Sequence, residues 1–352
     1  MTKSMFTCAI KNHCGSAAGA GGPRRRAAGH TLLEVIVTST IALIVVPVLA
    51  VLILSTSKGF TNFEAASTMK QMNQNSLNRI YLRLGRSKRL FENDVLGTGL
   101  LARFNMAGAP AVLTGSKLAS IEEQGSFSSA AASFKAASFG NRLFFAYLYG
   151  SQDIALSGSS TWRVDTYKLV QYYLTADGAQ TVNGVQAYNL VELESGLYAD
   201  CKQLTALTSS TNRKKLNANL LAAGINTCLL SDTQDYTLAF SSINAAGTLT
   251  SVPSHKIAIA KSKNLTQALT GIMGRSYSYG VAPNTGVWTA PKTTVPAYAT
   301  AGGSFPGGLE VGIIGGANGR QVLVRSVAVA QGERNNLVFN DMSVISSSRD
   351  IW

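Results

Sequence analysis

One carboxylate, Glu34, stands two residues inside a stretch that is otherwise uncharged from residue 32 to residue 54. A lone carboxylate in hydrocarbon costs several kcal/mol unless a cation pairs with it or a proton neutralises it. Farther on, Arg79, Arg83 and Arg86 recur at i, i+4 and i+7, with Lys88 and Arg89 behind them. On a helix they share one side, which suits a polyanion such as DNA, a solvated face, or pairing with carboxylates of a neighbouring chain. Cys8 and Cys14 precede the apolar stretch, and Cys201 and Cys228 lie far beyond it. If Arg24, Arg25 and Arg26 stay in the cytoplasm, the first pair meets a reducing compartment and the second an oxidising one. Cys201 and Cys228 are then either a disulfide, adding about 2–4 kcal/mol by restricting the unfolded chain, or two buried thiols.

Catalytic patterns are missing. His255 is the only histidine beyond the apolar stretch, and no G-x-S-x-G elbow accompanies it. The glycines of GGLEVGIIGGANGRQ do not match G-x-G-x-x-G, and there is no P-loop. Neither cysteine pair is CxxC, and only His30 and His255 remain after residue 29, so the expectation is no metal site, no cofactor and no enzyme.

The elements that carry these residues begin with the apolar stretch. Its 23 residues suffice, at about 1.5 Å per residue, to cross a hydrocarbon core of about 30 Å as a helix. The arginines before it place that end in the cytoplasm and the body outside. A secretory signal would have a shorter apolar region, of about 7–15 residues, and a plain signal anchor does not account for Glu34. Pro47 lies inside the run and predicts a kink. After Gly59, Phe60, Phe63, Ala66, Met69, Met72, Leu77, Ile80 and Leu84 recur close to helical spacing. They predict an amphipathic continuation of the helix over residues 58–94, lying along a sheet. Residues 107–140 read as a long Ala-, Ser- and Gly-rich loop. Strand-like runs follow at 142–149, 162–174, 187–193, 236–242, 256–260, 321–330 and 336–345, with a loop or boundary at 285–308.

Composition agrees with this division. Apolar residues make up 46% and charged residues only 14% of the 352, against about 25% charged in a typical soluble domain. Net charge is +13; residues 1–29 hold five basic residues and no acid, which leaves 26 basic against 18 acidic, or +8, beyond them. Such a surface attracts polyanions without specifying one.

The stretch Gly29-His30-Thr31-Leu32-Leu33-Glu34, with its basic leader and apolar run, resembles the prepilin cleavage motif of type IV pilins and type II secretion pseudopilins. The resemblance implies that residues 1–29 are a leader, removed between Gly29 and His30 by a prepilin peptidase, with N-methylation of His30. The family usually has phenylalanine at that new terminus. It implies further that residues 30–57 are a transmembrane and assembly helix and that Glu34 is the assembly carboxylate. Its partners would be the inner membrane and other pilin or pseudopilin subunits. The fold expected is α+β and pilin-like: a kinked N-terminal helix, half transmembrane, packed on an antiparallel head at 95–352. The large head and the runs TYKLVQYYLTADG and YNLVELESG look most like a minor pilin or a J- or W-type pseudopilin. The expected localisation is the bacterial inner membrane, with a cytoplasmic leader and a periplasmic or extracellular head, and then a pilus or pseudopilus. A DNA-binding or adhesin subunit, or a membrane-anchored envelope protein with a chance match, stand as alternatives.

Overall fold

In a computed structural model the chain divides between Thr56 and Ser57 into two compact units. The structure describes residues 31–124, 127, 138–156, 160–178, 181–182, 185–231, 238–266, 279–281, 308–331 and 337–348. The leader, with Gly29 and His30, lies outside them, as do Cys8, Cys14 and most of the 285–308 loop.

The apolar stretch lies in α1 (Leu32–Leu84), with Pro47 inside it. Residues 32–54 are exposed throughout, Leu32 to 81%, and this part of α1 is long and apolar enough to cross a membrane. Three adjacent hydroxyls interrupt it without leaving polar groups bare. Thr38 donates to the carbonyl of Glu34, Ser39 to that of Val35 and Thr40 to that of Ile36. Each bond stays inside the helix, which is what a segment without water around it requires.

Beyond residue 57 the helix changes character. Ala65, Met69, Met72, Leu77, Ile80 and Leu84 are buried, a stripe that narrows the expected one, since Phe60 and Phe63 are exposed. The helix stops at Leu84, ten residues before the boundary expected at 94, and Gly85 and Arg86 turn the chain into β1 (Ser87–Phe91). Lys88 and Arg89 therefore sit on a strand. Leu90 pairs with Phe145 and Phe91 with Phe144 across the sheet, so strand pairing overrides a segment whose local composition suits a helix.

The remaining elements, in chain order, are α2 (Val95–Leu101), β2 (Ile121–Glu122), β3 (Leu143–Ala155), β4 (Thr161–Thr175), β5 (Thr181–Val182), β6 (Val185–Gln186), β7 (Asn189–Ser195) and β8 (Tyr198–Asp200). Then come α3 (Cys201–Thr205), α4 (Ser210–Ala222), β9 (Thr227–Ser231), β10 (Leu238–Ile243), β11 (Leu249–Ser251) and β12 (Ile259–Asn264). The chain closes with β13 (Tyr279–Val281), β14 (Leu309–Ile314), β15 (Arg320–Gln331) and β16 (Leu337–Ser348). The fold class is α+β.

Two sheets form most of the second unit. In the larger, β4 pairs with β3 along one edge, while β7 and β8 share the other; β1 flanks β3, and β9, β10 and β11 continue beyond β8. Its pairings are antiparallel except β8 with β9, a connection made through α3 and α4. In the smaller, β16 runs the length of β15, and β14 and β13 share the opposite edge. Leu77, Ile80 and Leu84 of α1 pack in one core with Phe145, Val170, Tyr172 and Leu190 of the first sheet and Val311, Ile313, Val322 and Val324 of the second. The other face of β3 and β4 is also covered: Phe144 and Leu169 pack with Leu100, Phe104, Phe240 and Ile257. Burial on both faces accounts for the continuous apolar run LFFAYL that opens β3, where alternation would mark a half-exposed sheet.

Candidate functional site

Thr31 and Glu34 close the first turn of α1 reciprocally. The Thr31 amide donates to Glu34 Oε2 at 3.2 Å, and the Glu34 amide donates to Thr31 Oγ1 at 3.3 Å. This is a capping box, the Thr-x-x-Glu pattern that satisfies two helix-terminal donors at once. The carboxylate also lies at the positive end of the helix dipole. The pattern is visible in Thr31-Leu32-Leu33-Glu34, and reading Glu34 only as a buried charge missed it. Geometrically, a carboxylate is held at the mouth of an apolar helix.

The arginines of α1 meet a second group of carboxylates. Arg79 embraces Glu192 of β7 with two bonds, Nε to Oε2 at 2.6 Å and an Nη nitrogen to Oε1 at 2.7 Å. Arg83 reaches Glu194 Oε2 at 2.5 Å and Glu192 Oε1 at 3.4 Å. Lys168 of β4 pairs with the other oxygen of Glu194, and the Tyr172 hydroxyl donates to Glu192 at 2.9 Å. The fit comes from two spacings. One helical turn between i and i+4 spans about 6 Å, close to the roughly 6.6 Å between i and i+2 on a strand. Glu192 is fully buried, so these charges are paired where water is scarce.

Electrostatics follow that burial. The hydrogen bonding that Arg79 donates to Glu192 raises the Arg79 pKa, against the desolvation that lowers it. For Glu194, burial pushes the carboxyl up, but the Lys168 hydrogen bond and the Arg83 charge outweigh it and hold the group below its ordinary value. Tyr172 is pushed well up, by burial first and by the Glu192 charge next.

The three arginines are thus not one free basic face. Arg79 and Arg83 are engaged by carboxylates of the same chain, and Arg86 donates to the Tyr149 carbonyl at 3.0 Å. A polyanion there would have to displace Glu192 and Glu194. Arg89, the next in line, is buried and bonds the Ser231 hydroxyl at 2.9 Å.

Cys201 and Cys228 form a disulfide across 27 residues of sequence. Cys201 opens α3, where Asp200 caps the helix by accepting from the Lys202 amide, and Cys228 lies in β9 beside its parallel partner Ala199. The bond therefore fastens the return end of the α3–α4 crossover to its start, over a cluster that includes Leu204, Leu216, Leu220 and Ile225. Closing a loop of this length is worth about 3–4 kcal/mol in the chain-entropy account. His255 stacks on Phe240, with 4.8 Å between ring centroids, and shares a 3.2 Å hydrogen bond with the Tyr198 hydroxyl. Among the described residues no group of three or more histidine, cysteine or acidic side chains is arranged to hold a metal ion.

No family model, characterised protein or solved structure matches the chain.

Proposed function

We propose that this chain is a non-catalytic subunit of a type IV pilus or a type II secretion-type filament, a minor pilin or pseudopilin. It is made as a prepilin, cut between Gly29 and His30, and assembled through α1. One observation carries the reading: Glu34 is capped into the first turn of a helix whose next 20 residues are uncharged, largely apolar and exposed. So much uncovered apolar surface requires lipid or neighbouring helices around it.

The chemistry of assembly follows from the two charges that cleavage would bring together. A cut after Gly29 creates an α-amino cation at His30, beside the positive end of the helix dipole, where a cation is unfavourable. Glu34 supplies the compensating anion, on its own or an adjoining subunit. A subunit leaving the bilayer for the filament then exchanges lipid for neighbouring helices while both charges stay paired. The Cys201–Cys228 disulfide agrees with a head outside the cytoplasm.

Co-expression with a prepilin peptidase, followed by mass spectrometry of the mature chain, tests the processing step. The expected N-terminus is His30, carrying one methyl group; any other terminus removes the family assignment. Glu34→Ala tests the assembly step. It should leave cleavage and membrane insertion intact and lower incorporation into filaments by more than about tenfold, since stranding one partner of a buried ion pair costs about 3–5 kcal/mol. Incorporation at the wild-type level would refute the pairing role of Glu34.

A further inference from the structure

On the second unit, away from α1, a cleft of about 580 Å³ opens between the start of β8, the turn after α4, the end of β10 and the segment around His255. Its size lies within the usual range for small-molecule sites, about 300–1,000 Å³. Two properties of the lining narrow what it could take. Among the described residues no charged side chain lines it, and its polar groups are the Asn226 amide, the Thr227 and Ser242 hydroxyls, the Tyr198 phenol and the His255 ring.

These groups are positioned from behind. The Thr227 hydroxyl donates to Asn226 Oδ1 at 3.1 Å, which turns the amide so that its NH₂ is the part left to donate. His255 is backed by Phe240 on one ring face and held by Tyr198, whose ring meets it edge-on at 83°. Burial, and next the charge of Arg103, push the imidazole below its ordinary pKa. Arg103 itself lies over the Phe240 ring, 5.6 Å from its centroid, and is not part of the lining. The disulfide fixes the frame, because Tyr198 stands three residues before Cys201 and Thr227 directly precedes Cys228.

We propose that this cleft binds one ring of a neutral sugar, with the half-buried His255 ring against a C–H face and Asn226, Thr227 and Ser242 on the hydroxyls. An anion would meet no cation there. A purely apolar ligand would leave the Asn226 NH₂ unused, which is costly when it is desolvated. The Thr227 and Ser242 hydroxyls already donate to Asn226 Oδ1 and to the Thr250 carbonyl, and keep lone pairs to accept from a ligand hydroxyl. A pyranose has both faces the lining asks for, apolar C–H groups and a rim of hydroxyl donors and acceptors. The inference does not depend on the filament reading.

The glycine at the cleft's edge provides a clean test. A Cβ added at Gly196 would meet no atom within 4 Å and the backbone there is not left-handed, so Gly196→Phe can project a ring from the cleft's edge. The full chain in phospholipid nanodiscs is titrated with the methyl pyranosides of glucose, galactose and mannose, with N-acetylglucosamine, and with glucuronate as the charged control. Binding is read by saturation-transfer NMR and by shifts of the His255 ring signals. At least one neutral sugar should give saturation transfer and move the His255 signals, with glucuronate weaker. Gly196→Phe should abolish the effect, and His255→Ala should weaken it about tenfold, the loss of one aromatic contact and its hydrogen bond. No response of the wild-type His255 signals to any neutral sugar overturns the proposal. So does unchanged binding in both variants, or glucuronate binding as tightly as the neutral sugars.

Discussion

Glu34 and the Arg79–Glu192–Arg83–Glu194–Lys168 group show how differently single residues can be read in advance. Glu34 is legible in the sequence because its meaning is local: a charge inside an apolar run, and a threonine three residues before it that caps the helix. The partners of Arg79 were hidden because Glu192 lies 113 residues away, and no local pattern announces a contact of that range. What the sequence does carry is Glu-Leu-Glu at i and i+2 on a buried strand, a costly arrangement unless cations meet it. This group also makes stability depend on pH. Because Glu194 titrates below its ordinary value when folded, the unfolded chain takes up the proton first as pH falls. Its contribution is intact above the unfolded value of about 4.3 and disappears as pH drops through the lower folded value. Glu194→Gln should therefore cost about 3 kcal/mol at pH 7, with Arg83 and Lys168 left facing a neutral amide. It should also flatten the acid side of the stability curve. Urea unfolding of the full chain in detergent at pH 7 and at acid pH checks both effects, and parallel pH dependences in the two proteins would contradict the assignment.

At the scale of elements, the long strands are readable, as are the shorter β7 and β10 on the runs at 187–193 and 236–242, whereas β1, β14 and the α3–α4 crossover are not. β3, β4, β15 and β16 lie on the expected runs, extended by a few residues, because Val, Tyr, Phe and Leu recur there between turn residues. β1 was taken for helix because Ser87–Phe91 follows a helical segment and has only five residues in which to show a period. α4 went unread despite ordinary signals: Ser209 as N-cap, Leu216 and Leu220 one turn apart, and Gly224 with φ of +77° just past the C-terminus. β14 was weighed only as a glycine pattern, although its LEVGII is a fully buried strand. The α3–α4 crossover is also where the disulfide matters. A parallel β8–β9 pair needs a long connection, and the bond shortens the unfolded loop that must close to form it. Replacing Cys201 and Cys228 together by serine should lower stability by about 3 kcal/mol. Reductant should destabilise the wild type by a similar amount and leave the double variant unaffected. Equal urea midpoints for the two oxidised proteins would mean that the crossover is held by its apolar cluster alone.

For the whole molecule the division at Thr56 and Ser57 separates a segment long and apolar enough to cross a membrane from a unit with its own core. Among the described residues nothing covers the apolar surface of residues 32–54. The second unit closes its own core, and several of its buried charges are paired inside it, as in the Glu310–Arg325–Asp341 triad between neighbouring strands. What it leaves apolar on α1 is Phe60, Phe63, Tyr81 and Leu82, too little to hold a protein in lipid but enough to meet a neighbouring subunit in a filament. Residues 57–352 produced alone, in an oxidising compartment, should therefore be soluble and monomeric. They should keep the Cys201–Cys228 bond and unfold cooperatively. The full chain should need detergent or a bilayer. Size-exclusion chromatography with light scattering, beside membrane fractionation of the full chain, reads both. Aggregation of the shorter chain would show that the second unit depends on the first, and a full chain that stays in solution without detergent would end the reading of residues 32–54 as a membrane and assembly helix.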